Sequence, residues 1–146
     1  MKRLFAITAL LTGLWCGTVS AQWVSGDVSP QSIGPISVYL ADEAIDACWT
    51  NLREVREYAE EKLRMSGYST REYEGLSAYY SLHVSVVAYR NNGTCFGDVS
   101  AEVRKFVVVD GVRGDHVVGA HYSIANRRSN LNNIVIATVQ ELIDEM

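Results

Sequence analysis

The chain predicts an α+β two-layer sandwich: a mainly antiparallel sheet of three to five strands with two helices packed on one face, in the order β-α-β-β-β-α. Three observations predict it. Apolar residues recur at three-and-four spacing over two stretches, Asp42 to Ser66 and Asn130 to Met146. Between them, from Tyr80 to Ile124, apolar and polar residues alternate with period two. The alternating runs are broken by Asn-Gly and Asp-Gly pairs, which accept the positive φ of tight hairpins. Successive hairpins make a meander, and amphipathic helices on either side of it must bury their stripes against it.

The first segment concerns destination. Lys2 and Arg3 precede an apolar run from Leu4 to Trp15, and Val19-Ser20-Ala21 follows. A charged start, a short apolar run and small residues read as a cleavable secretory signal peptide over 1–21, cut after Ala21. Lipid attachment at Cys16 would require a small residue before it, and Trp15 stands there instead. Cleavage removes Cys16 and leaves Cys48 and Cys95. The expected organisation is then a flexible N-terminal arm over 22–35 and a single α+β domain over 36–146. Roughly 125 residues suit one domain.

Ile36-Ser37-Val38-Tyr39-Leu40 alternates and predicts a short strand. The helix predicted over Asp42 to Ser66 carries Ile45, Cys48, Leu52, Val55, Ala59 and Leu63 on one face. Asp42 would cap its start, Lys62 and Arg64 suit its end, and Gly67 can adopt the left-handed turn that stops it. A short strand is expected within Tyr68–Tyr73. Leu82, Val84, Val86 and Ala88 then alternate with His83, Ser85, Val87 and Tyr89. Asn91-Asn92-Gly93 turns the chain, and Cys95, Gly97, Val99, Ala101 and Val103 form one face of the returning strand, which runs on to Val109. Asp110-Gly111 and Arg113-Gly114-Asp115 read as the next turn, and Val117 to Ile124 as a third strand. Ser129 would cap the last helix. Glu141, Asp144 and Glu145 crowd the end where negative charge is unfavourable, so that end should fray or meet basic groups.

With 13 basic and 17 acidic residues the chain is net −4, and losing Lys2 and Arg3 makes it more acidic. No basic stripe interleaves with aromatics, so nucleic acid is excluded as a partner class. No apolar run after the leader is long enough to span a bilayer.

The cysteines carry a firmer expectation. Cys48 falls on the apolar helix stripe and Cys95 on the inward strand face, so a helix-to-sheet disulfide is expected. It would close a loop of about 48 residues, for which chain entropy gives roughly 4 kcal/mol. Such bonds persist outside the cytoplasm, which agrees with the leader.

No nucleophile elbow, glycine-rich phosphate loop or H-E-x-x-H motif occurs, so no catalytic residues and no cofactor are expected. His83 and His121 are the weak metal candidates: both could lie on the sheet face away from the helices, beside Glu102 and Arg104. A small enzyme or metal binder built on that pair is the alternative reading, and a secreted effector or inhibitor another. The leading expectation is an exported periplasmic module, binding another envelope or secreted protein or itself. Tyr79, Tyr80, Tyr89 and Phe96 cluster around the first hairpin, and exposed aromatics are enriched at interfaces. The element order, with its terminal helix, resembles small α/β modules of envelope assembly proteins such as the N-terminal domain of TolB-type proteins. The resemblance is one of architecture and transfers no functional residue.

Overall fold

The alternation from Tyr80 onward becomes three long antiparallel strands in the computed structural model, which describes residues 28–75 and 79–146. The expected signal peptide and the first part of the arm lie outside the described residues. In chain order the elements are β1 (Ile36–Ala44), α1 (Leu52–Met65), β2 (Thr70–Arg71), β3 (Tyr80–Asn91), β4 (Thr94–Val109), β5 (Val112–Arg127) and α2 (Asn132–Glu145). They form one five-stranded sheet in the order β2-β1-β3-β4-β5. β3, β4 and β5 are antiparallel neighbours, whereas β1 runs parallel to β3 and to β2. The two helices cover one face.

The hairpins form where the turn chemistry requires. Asn92 and Gly93 take φ of 47° and 76°, and Asp110 and Gly111 take 51° and 78°. Both are two-residue connections whose twist matches the flanking strands. Arg113-Gly114-Asp115 corrects the expectation of a turn: these residues lie within β5, paired with Val108, Val107 and Phe106. Asp110-Gly111 completes the turn alone.

The larger correction concerns the first helix. Residues from Asp42 to Ala44 belong to β1, which pairs with β3 over nine residues as far as Ala44↔Ala88. That ladder satisfies backbone groups a helix start would leave open. Asp42 does not cap a helix; its carboxylate accepts the Ala44 N–H at 3.0 Å. Asp46 and Ala47 then take left-handed φ of 56° and 57°, turning the chain so that Cys48 points inward from a loop. Ile45 is 59% exposed, so its place in the apolar spacing was coincidence. From Leu52 the prediction holds: Val55, Ala59 and Leu63 are buried, and Gly67 ends the run at φ 90°. In α2 the helix starts at Asn132 without a side-chain cap, so Ser129 is not its N-cap.

The core lies between the helices and the inward strand residues. Leu82, Val84 and Val86 on β3 and Val99, Ala101 and Val103 on β4 are fully buried against Leu63 of α1 and Val135, Val139 and Leu142 of α2. The described end of the arm is seated too, with Ile33 buried and the Tyr68 hydroxyl donating to the Val28 carbonyl at 2.5 Å. The acidic end of α2 meets basic partners. Asp144 pairs with Lys62 of α1 at 2.6 Å and Glu141 with His121 at 2.7 Å.

One end of the sheet is knotted. Cys48 and Cys95 form the expected disulfide, with Cα atoms 5.6 Å apart and both residues fully buried. Its partner element is the β1–α1 loop rather than a helix. Around it the Arg90 guanidinium donates to the carbonyls of Asp46, Ala47, Gly93, Arg128 and Ser129 at 2.7–3.4 Å. The Leu131 N–H donates to the Cys48 carbonyl at 2.7 Å, and Thr50 and Asn132 bond to each other twice. The starts of both helices are thereby tied to the first hairpin. Replacing both cysteines by alanine should lower unfolding free energy by about 4 kcal/mol, read from denaturant midpoints in oxidised protein. A loss under about 1 kcal/mol would mean that the packing holds this end without the bond.

Candidate docking surface on the open sheet face

The face of the sheet opposite the helices is built from side chains of the other strand parity. Three cross-strand rows define it: Tyr89–Phe96–Asn126, Val87–Asp98–Ile124 and Ser85–Ser100–Tyr122. Next to them lies His83–Glu102–Ala120, with Tyr39 of β1 beside His83. The face has two characters, one at each end of these rows.

Toward the knotted end it is apolar and exposed. Val87, Tyr89, Phe96, Tyr122 and Ile124 all present their side chains to solvent, Ile124 being 94% exposed. The Tyr89 and Phe96 rings lie 6.2 Å apart, within the range of favourable aromatic pairs. Lone exposed apolar residues are ordinary, but contiguous ones mark interaction surfaces.

Toward the middle it becomes a polar, aromatic network. Tyr39 stacks near Tyr73 and His83, with ring centroids at 4.7 and 4.8 Å. Glu102, buried on this side, accepts from Arg104 at 2.7 Å and from the Tyr122 hydroxyl at 2.7 Å. Arg104 also reaches Asp115 at 3.8 Å. These contacts set the titration of the site. Hydrogen bonding to Glu102 pushes the Tyr122 phenol up, and burial raises that of Tyr73. Burial first, and then the Arg104 charge, holds the His83 imidazole below its ordinary value. Where β2 diverges from β1, a broad cleft of about 700 Å³ opens beside this network, lined by Tyr39, Arg56, Glu60, Arg71 and Tyr73.

The two histidines are not brought together. His83 lies on the open face, but His121 pairs with Ala101 in the inward register and contacts Glu141 of α2. They sit on opposite sides of the sheet and cannot ligate one ion. Among the described residues no group of three His, Cys, Asp or Glu could hold a metal. The physical reason for the misplacement lies in β5. Placing His121 on the open face would send Val118, Ala120, Tyr122 and Ile124 inward by parity. The structure turns Tyr122 and Ile124 outward and puts Gly119, His121, Ser123 and Ala125 under α2. A register shift between Val103 and Arg104 buries Val118 despite its parity. Small residues inward let the helix approach, as the Thr138–Ser123 hydroxyl contact at 3.2 Å indicates.

The predicted aromatic cluster also divides. Tyr89 and Phe96 lie on the open face as expected. Tyr80 takes the inward parity and packs on the core edge, with Lys105 over its ring. Tyr79 lies at the far end of β3 beneath the Arg71 guanidinium, 4.1 Å from the ring centroid. Sequence reasoning missed Tyr122, Ile124 and the Tyr39–Tyr73–His83 stack. A large apolar residue opposite a small, polar strand face was the available signal for Ile124.

No family model matches the chain, and no curated protein matches it in sequence. Among solved structures it is similar to PelC of Paraburkholderia phytofirmans, a dodecamer, with 16% identity and a TM-score of 0.52 over 87% of this chain and 98% of that one. A dodecameric variant of the same protein aligns equally, over 85% and 96%. At that identity the likeness is one of fold.

The lowered His83 value has a consequence for stability. Between the ordinary value of 6.5 and the lower folded value, the unfolded chain binds a proton that the folded chain refuses. Stability should therefore fall as pH drops through 6.5, and His83→Gln should flatten that part of the profile. An NMR titration placing His83 at or above the ordinary value would contradict this.

Proposed function

We propose that this chain is an exported, non-enzymatic protein-binding module of the bacterial envelope, an assembly accessory that self-associates through the open face of its sheet. The observation that carries the reading is the apolar cluster of Val87, Tyr89, Phe96, Tyr122 and Ile124. Leu82, Val84 and Val86 of β3 and Val99 and Val103 of β4 are buried beneath the helices, whereas this cluster faces solvent. Covering one such side chain stabilises a complex by roughly 1.5–3 kcal/mol, so five of them suffice for a docking centre of ordinary composition.

Other findings support parts of the reading. The disulfide suits a compartment where thiols oxidise, and the charged and apolar start of the sequence suits export. The solved structures of similar fold are dodecamers, which favours a second copy as the first partner to test. No helix among the described residues is long and apolar enough to cross a membrane.

Sedimentation velocity on the oxidised protein tests it. The wild type should associate, and Ile124→Asp with Tyr89→Ser should weaken association at least tenfold while circular dichroism stays native. Unchanged sedimentation and unchanged envelope pull-downs in that variant would refute the proposal.

A further inference from the structure

The second hairpin extends beyond the sheet. β4 and β5 stay paired to Val109↔Val112, but the β3–β4 ladder stops at Tyr80↔Lys105. Phe106 to Asp115 therefore projects as a two-stranded arm, and among the described residues neither of its edges is paired to a further strand. Its tip is apolar: Val108, Val109 and Val112 are 58%, 64% and 71% exposed. A ribbon of two strands is marginal in water, and unpaired valine-rich edges recruit partners.

We infer that this arm of one copy seats on the open face of the next, joining subunits head to tail. The inference rests on the proposed self-association through that face, and names the segment that fills it. The arm cannot reach the apolar patch of its own chain. Phe96 and Val108 are separated along β4 by about 40 Å at roughly 3.3 Å per residue. The molecule thus carries two unsatisfied apolar surfaces of matching chemistry at opposite ends.

Charge fits the same pairing. Asp98 lies between Val87 and Ile124 in the patch, and Glu43 lies beside Val87 on β1. Both are exposed and, among the described residues, in no ion pair. Arg113 on the arm is likewise exposed and opposite Val108. Val108 and Arg113 share one face of the ribbon and Val109 and Val112 the other, so an arm docked by its Val108 face would bring Arg113 to Asp98 and Glu43. Such contacts between unlike surfaces are heterologous: they generate a ring when the rotation closes and a filament when it does not.

The test uses sedimentation velocity on the full oxidised chain. Val108→Asp should reduce association at least tenfold, as is expected of Ile124→Asp. Mixing the arm variant with the Ile124→Asp variant should give one-to-one dimers and nothing larger, because one intact arm meets one intact face. Arg113→Glu and Asp98→Lys should each weaken association, and the double variant should recover most of it; these exposed changes keep the test valid if the valine variant misfolds. Wild-type association in the arm and charge variants, with loss in Ile124→Asp, would overturn the arm but leave the face. A monomeric wild type would overturn both. A monomer that binds anionic phospholipid vesicles through the arm would overturn the inference and assign the valines to a membrane surface.

Discussion

The Cys48–Cys95 bond, with the Arg90 guanidinium beside it, is the constraint on which the remaining structure depends. Three connections converge there: the β1–α1 loop, the first hairpin and the β5–α2 link. None is long enough to form regular structure, so each leaves carbonyls without strand or helix partners. A planar cation with five donors satisfies several at once, which an ammonium could not do with the same geometry. The disulfide holds the loop close enough for that cation to work. With both helix starts pinned, α1 and α2 must lie on the same side of the sheet. The opposite face is then left uncovered by construction.

That uncovered face divides into two surfaces with different roles. Around Glu102 the buried carboxylate is satisfied by Arg104 and Tyr122, and the Tyr39–Tyr73–His83 stack shields it. This portion is complete within one chain. Around Ile124 no such network forms among the described residues: Val87, Tyr89 and Phe96 are exposed, with the Tyr89 and Phe96 rings side by side. A small domain gains little by exposing a row of β-branched and aromatic residues, because their burial elsewhere would add to a marginal stability. Their placement fits the docking role proposed for this face.

Much of the fold was legible because its signals are local. The period of two from Leu82 to Val103 needs no knowledge of neighbours, and Asn92-Gly93 and Asp110-Gly111 determine their own turns. Cys95 was readable as inward from parity alone, so the disulfide followed even though the element holding Cys48 did not. The failures are non-local. Extension of β1 through Asp42, Glu43 and Ala44 depends on their β3 partners Val86, Val87 and Ala88, 44 residues on in sequence, while Ile45 and Cys48 happened to continue the helical spacing. His121 and Ile124 exchanged faces because α2 demands small residues beneath it and a register shift at Val103/Arg104 alters parity. Tyr122 and Ile124, which share the parity of buried Val118, face solvent instead. That inversion, misleading for the fold, is the strongest indication of function in the chain.

Amide hydrogen exchange on the oxidised protein, at concentrations above and below its association midpoint, tests this account most directly. Exchange should be slow around Cys48, Arg90 and Cys95 at both concentrations. Added protection on association should be confined to the peptides carrying Val87–Phe96 and Tyr122–Ile124 and to the Phe106–Asp115 arm. Protection gained on the helix-covered face instead, or no gain at any concentration, would contradict it.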